Sequence, residues 1–200
     1  MMVFKRIMCF ILAIWAAQIN AQPSPGLMLE NASNRIIATL KQHQGHLQSN
    51  HAVINAVIRQ ELLPHVDVQG MSRSVLGRAA WMSASAAEKV AFTQAFTALV
   101  IRTYAGPLAE YAGETVTFLP IRGSLDSRFL RVNSIISRSN GQQIPLSYHV
   151  VFQHGEWKIY DLSVEGVSLL QSFRSQFGSM MQHEPLKAVI EHLNKRTAAA

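Results

Sequence analysis

Cysteine is nearly missing from this sequence of 200 residues: Cys9 is the single one. Charge is scarce too, with Asp, Glu, Lys and Arg at 15% of residues against about 25% in an ordinary soluble domain. Gly and Pro number only 11 and 7, which excludes collagen-like and linker-like chains. A hydrophobic share of 48% excludes intrinsic disorder. No Gly-rich phosphate loop and no G-x-S-x-G elbow occurs. No internal repeat is visible at periods of ~20–50 residues. What remains is an apolar inventory too large for so thinly charged a surface.

Part of that inventory is at the start. Lys5 and Arg6 precede an apolar run from Ile7 to Ile19, broken only by Gln18. A basic segment, a short apolar segment and then small residues make a secretory leader. The run is too short for a comfortable membrane span. Cleavage is expected near Ala21, so residues 1–21 are a leader and residues 22–200 a single domain. Gln22–Pro25 is expected to be a loose mature start. Removal of Lys5 and Arg6 lowers the formal net charge of +6 by two. Removal of Cys9 leaves no thiol, so thiol catalysis, thiolate metal sites and disulfides are excluded from the exported chain. About 180 residues can bury an adequate core without them.

The order of elements reads as helices, then strands, then helices, which points to an α+β domain. Helices are expected over Asn34–Gln44 and His51–Leu63, with Pro64 as a stop. Met71–Leu76 is a short helix ended by Gly77. Ser85-Ala86-Ala87-Glu88 is a capping box before an apolar-periodic run, so a long helix covers Ala86–Tyr104. Gly106-Pro107 is expected to break it, with a further turn at Leu108–Tyr111. Strands are expected at Thr115–Leu119, Phe129–Ser137 and Trp157–Leu162. Asn140-Gly141 marks a hairpin. After it Ile144, Leu146, Tyr148, Val150 and Phe152 alternate with more polar residues, a period of two. His154-Gly155 marks the next turn. Gly166 precedes a helix whose apolar face carries Val167, Leu170, Phe173 and Phe177, and a last helix runs over Pro185–Arg196. The fold class is thus α+β, an antiparallel curved sheet of about four strands enclosed by N-terminal and C-terminal helices.

Chemistry-bearing clusters are few. His43, His46 and His51 lie close in sequence but lack H-E-x-x-H spacing, and read as solvated histidines; no metal site is expected. Asp161 and Glu165 bracket a strand-to-helix turn. They read first as structural, Glu165 near the positive end of a helix and Asp161 bonded to an Arg or a backbone amide. As a general acid–base pair they would instead mark an enzyme on a small apolar substrate. Arg122, Arg128, Arg131 and Arg138, offset locally by Asp126, would suit phosphate groups or a solvated strand face. No nucleic-acid motif is present, and no nucleic-acid partner is expected. The aromatic residues on the long helices and the hairpin form either a packed core or the lining of an apolar cavity, and periodicity does not separate the two.

The stretch from Trp157-Lys158-Ile159-Tyr160-Asp161-Leu162 through Glu165-Gly166-Val167-Ser168-Leu169-Leu170 to Phe173-Arg174 and Phe177 resembles the signature of the toluene-tolerance family, the MlaC-type periplasmic phospholipid carriers. Leu76-Gly77 followed by Trp81 resembles a second family segment. Phe92, Phe96, Leu99, Tyr104 and Leu108 resemble its central helix. The resemblance covers about residues 32–196. Phe173 stands where the family pattern has Tyr, and the Trp81 segment has a shifted spacing. The resemblance implies a periplasmic carrier, not an enzyme, with an apolar cavity for phospholipid as cargo and no cofactor. It implies two partners, an outer-membrane lipoprotein–porin complex and an inner-membrane ABC transporter with an MCE-domain ring. The expected lipid-binding pool is Phe92, Phe96, Val100, Tyr104, Tyr148, Val150, Phe152, Tyr160, Val167, Leu170, Phe173 and Phe177. The competing readings are the exported enzyme with Asp161 or Glu165 as base, and an exported adaptor with a filled core.

Overall fold

A computed structural model of the protein describes residues 23–198. The expected leader, residues 1–21, lies outside the described residues. No helix among the described residues is long and apolar enough to cross a membrane.

The helical half is built on local signals. Helix α1 spans Pro25–Gln42; the Ser24 hydroxyl accepts from the Leu27 N–H at 3.5 Å and Pro25 opens the first turn. It starts nine residues before the expected Asn34, and what reads as a loose Gln-Pro-Ser start contains its cap. A proline at the first helical position loses no hydrogen bond there, because that N–H has no intrahelical partner. Helix α2 covers His51–Val57 and continues as a π-helical turn, Ile58–Leu62, then a 3₁₀ turn, Leu63–His65. Helix α3, Val68–Leu76, is capped by Asp67, whose carboxylate accepts from the Gly70 N–H at 2.9 Å. A Cβ at Gly70 would lie 2.0 Å from that carboxylate, so any larger residue there would displace the cap. Gly77, at φ +80°, ends α3 and leads into α4, Arg78–Ser83, a short helix not foreseen from the sequence.

Helix α5 spans Ala86–Ala109, and the expected capping box is formed in full by Ser85 and Glu88. It does not break at Gly106-Pro107. Pro107 lies in the last turn, where it removes only one backbone hydrogen bond. Buried Ile101, Ala105 and Ala109 hold that end of the helix against Leu40, Leu47, Ile54 and Ile58. Two further helices, α6 (Leu169–His183) and α7 (Leu186–Ala198), follow the sheet.

Five antiparallel strands form a single curved sheet in chain order: β1 (Thr115–Phe118), β2 (Phe129–Ser137), β3 (Gln143–Gln153), β4 (Glu156–Val164) and β5 (Val167–Ser168). Short turns explain the meander. His154-Gly155 (φ +53° and +83°) and Glu165-Gly166 (φ +51° and +84°) are two-residue turns with both residues left-handed, the geometry whose twist matches paired strands. Val167 therefore belongs to β5 and not to the helix face expected for it; α6 begins two residues later, capped by Ser168.

Leu130 pairs with Val150, which pairs with Ile159, and Val132 pairs with Tyr148. These residues share one face of the sheet and pack with Leu29 of α1, Leu62 and Val66. The opposite face carries Phe129, Arg131, Asn133 and His149, as pleat alternation requires. A bulge at His149/Val150 interrupts the β3–β4 pairing, leaving Tyr160 as the extra residue between Ile159 and Asp161.

Candidate functional site

Phe92 and Phe96 lie one helical turn apart on α5, with rings 6.1 Å apart. Phe173 and Phe177 have the same spacing on α6. The Phe177 ring meets Phe92 edge-on at 5.5 Å, and Phe173 meets Phe96 edge-on at 5.2 Å. All four are buried in one cluster with α3 and α7. Val100, Tyr104 and Leu170 pack against its margin and remain half-buried. Burial pushes the Tyr104 hydroxyl pKa up, and the Asp161 carboxylate pushes it the same way, so α5 passes within electrostatic reach of β4.

Tyr148, Val150 and Phe152 belong to a different cluster, on the sheet. The Tyr148 ring stacks on Phe118 at 5.9 Å, and its hydroxyl lies 3.4 Å from that of Ser134. Burial pushes that hydroxyl's pKa up, with the Ser134 hydrogen bond opposing. Phe152 packs on Trp157 at 5.3 Å. The Trp157 indole donates to the Pro23 carbonyl at 2.6 Å, which ties the approach to α1 onto the sheet. Phe118, Leu29, Leu62 and Val66 adjoin this group; Phe118 and Leu62 fall inside an expected strand and an expected helix, but a period along one element does not show which neighbour a side chain meets.

The expected pool is thus divided. Eleven of its twelve residues are placed in or beside the helical cluster, the sheet cluster or the opposite sheet face. Val167 is 60% exposed on β5 and joins none of them. Tyr160 is on the far face of the sheet, its ring 5.8 Å from Phe129 and 6.0 Å from His149. Among the described residues, no cluster contains both an α5 residue and a sheet strand residue. Leu62 and Val66 are the links, each packing against the sheet cluster and one helical cluster.

Asp161 is 8% exposed and fully engaged: one oxygen accepts from Ser168 Oγ at 2.6 Å and the other from the Leu170 N–H at 3.0 Å. The partner is a backbone amide, as one structural expectation had it, and no Arg takes part. Glu165 is exposed in the β4–β5 turn, where its N–H donates to the Pro145 carbonyl. It does not sit on the first turn of α6. His43 ends α1, His46 is in the following turn and His51 opens α2. Among the described residues no group of His, Asp and Glu could hold a metal ion.

On the far face of the sheet, the segment 119–128 borders a half-open cleft of about 1010 Å3. Arg122, Arg131, Asn133, His149, Phe129 and Tyr160 are among its lining residues. Two of the four arginines singled out in sequence therefore meet in one place. Arg128 lies over the Phe129 ring at 5.6 Å. Arg138 is elsewhere, in the β2–β3 hairpin, 3.9 Å from Glu114.

Comparison with known proteins gives a consistent result. The family model described as MlaC protein matches residues 30–195. The chain is 23% identical over 178 residues to the Haemophilus influenzae protein named intermembrane phospholipid transport system binding protein MlaC, covering 88% of this chain and 83% of that one. It is 24% identical over 180 residues to a toluene tolerance protein of Pseudomonas putida, covering 90% and 83%. A Ralstonia solanacearum phospholipid-binding protein, solved in complex with a phospholipid, superposes with a TM-score of 0.81 at 25% identity, covering 88% of this chain and 98% of that one. The family match runs from α1 into α7, so the chain belongs to the MlaC family.

Proposed function

We propose that this protein is a phospholipid carrier that holds acyl chains between the apolar face of its sheet and helices α5 and α6. The observation that carries this reading is the separation of the sheet's buried cluster from the two clusters that hold α5, bridged by the half-buried Leu62 and Val66. Side chains that pack on one another across an interior ordinarily join one contiguous core, with smaller satellites beside it. Apolar side chains of intermediate exposure, Val100, Tyr104 and Leu170 on the helices and Tyr148 on the sheet, flank the division. The phospholipid in the Ralstonia relative and the transport name of the Haemophilus relative support the choice of cargo.

The energetics favour such a carrier. Each acyl CH₂ exposed to water costs about 0.8 kcal/mol, so free transfer between membranes is slow and an enclosed apolar site relieves the cost. Apolar contacts are non-directional, which tolerates chains of different length. No bond is made or broken, and Asp161 is occupied in holding α6. The chain acts in the periplasm after cleavage near Ala21, taking lipid from one membrane complex and giving it to another. The partners are an outer-membrane lipoprotein–porin complex and an inner-membrane MCE-domain ABC transporter.

Native mass spectrometry of protein purified from the periplasm tests the core of this reading. Co-purified phospholipid, identified after extraction, is the expected result. Apo protein alone, together with no uptake from liposomes, overturns it.

A further inference from the structure

The cleft on the far face of the sheet lies outside the carrier role. It is separated from the apolar face by the sheet itself, since Arg131 and His149 point away from Leu130 and Val150. Arg131 and His149 are direct cross-strand partners on β2 and β3. Arg122 reaches the same cleft from the segment above it. Among the described residues, neither Arg122 nor Arg131 has an acidic partner. Asp126, the nearest acid in sequence, takes a hydrogen bond from Ser124 instead. Two exposed guanidinium groups therefore meet without a counter-charge in a concave site.

Its walls are not purely polar. Phe129 is 55% exposed and packs edge-on to Tyr160. An exposed Phe129 backed by a half-buried Tyr160, beside unpaired arginines, is the composition of an interaction hot spot, in which Arg, Tyr and other aromatics are enriched. The volume of about 1010 Å3 exceeds what one inorganic anion fills and suits several side chains of a peptide. Concavity also selects among anionic partners. A bilayer presents a broad surface and cannot enter a cleft, whereas an extended acidic segment can.

We propose that this cleft docks an acidic, aromatic-containing segment of a partner protein, with Arg122 and Arg131 taking its carboxylates and Phe129 and Tyr160 its apolar side chain. Arginine suits this task because its planar fork can bind a carboxylate through two hydrogen bonds. The electrostatic part steers encounter and weakens with salt.

The probe is a fluorescein-labelled decapeptide of glutamate with one central phenylalanine, titrated into the lipid-loaded protein and followed by anisotropy. Saturable binding is expected, at least tenfold weaker in the Arg122→Glu/Arg131→Glu double variant and weaker at high salt. A lysine-for-glutamate peptide should not bind. The histidine proton resonances supply a local readout. His149 faces Arg131 from β2 and lies near Asp161 and Tyr160 on β4, so a bound carboxylate should shift its titration to higher pH. Retained co-purified lipid in the double variant separates this inference from the carrier reading. Absence of saturable binding overturns it, as does equal binding by the charge-reversed variant. Preferential binding to phosphatidylglycerol vesicles, lost on the same substitutions, also overturns it by assigning the cleft to a lipid surface.

Discussion

Asp161 accepts a 2.6 Å hydrogen bond from the Ser168 hydroxyl, which fastens the middle of β4 to the residue that caps α6. The same hydroxyl accepts from the Gln171 N–H at 3.0 Å. The second Asp161 oxygen takes the Leu170 N–H. A chain of three side-chain bonds thus fixes where α6 leaves the sheet, and so where Phe173 and Phe177 reach α5.

Replacing Asp161 tests that arrangement. Bonds to a charged acceptor contribute about 1.5–3 kcal/mol each, and their loss strands buried donors. Asp161→Ala is expected to lower unfolding free energy by about 2–4 kcal/mol in urea titration. Asp161→Asn retains one acceptor and should cost roughly half as much. An Asn variant with native stability would show that the carboxylate does not hold the helix.

Residues inside the protein should separate by their consequences. Phe96 is 1% exposed and touches the rings of Phe92, Phe173 and Phe177. Phe96→Ala should cost about 3–5 kcal/mol, the range for a large buried aromatic. Val100 is only half-buried at the margin of that cluster. Val100→Trp should leave the melting temperature within a few degrees while co-purified lipid, measured against protein by mass spectrometry, falls severalfold. Undiminished lipid in that variant would place the acyl chains elsewhere.

Much of this was readable beforehand, and the gaps have physical causes. The Ser85–Glu88 capping box located the start of α5 because its signal is local. Pro107 misled because the rule against helical proline weakens in a last turn held by tertiary packing. Ser24 and Pro25 form a helix start hidden in a composition that otherwise reads as loose. β5 has two residues, too few to show alternation, so in sequence Val167 is indistinguishable from the apolar face of the helix that follows. The aromatic pool was harder. Periodicity says that a side chain faces inward from its own element, but not which neighbour it meets. It could not show that Tyr148 and Tyr160 lie on opposite faces of one sheet, nor that the α5 and sheet aromatics occupy separate clusters. Arg122, Arg128, Arg131 and Arg138 are legible as basic residues offset locally only by Asp126. Only the pairing of β2 with β3 brings Arg131 to His149.

Acid should weaken the fold in a defined window. Burial lowers the pKa of His149, with Arg131 adding to the effect and Asp161 opposing it. Burial also lowers the pKa of His65, with Arg35 and Lys158 adding to it and Glu156 and Glu61 opposing. Each histidine has a folded pKa below its ordinary value of 6.5, so the unfolded chain binds the proton more readily. Stability then rises with pH wherever the unfolded state carries more protons. It should be intact near pH 7.5 and fall as pH drops through about 6.5 and below, as both histidines are driven to charge. Both side chains are partly solvated, so the decline should be gradual. Urea midpoints measured from pH 7.5 to pH 5 check this, and the His65→Gln/His149→Gln double variant should show a flatter profile across that range. An unchanged slope in the variant would assign the acid sensitivity to other groups.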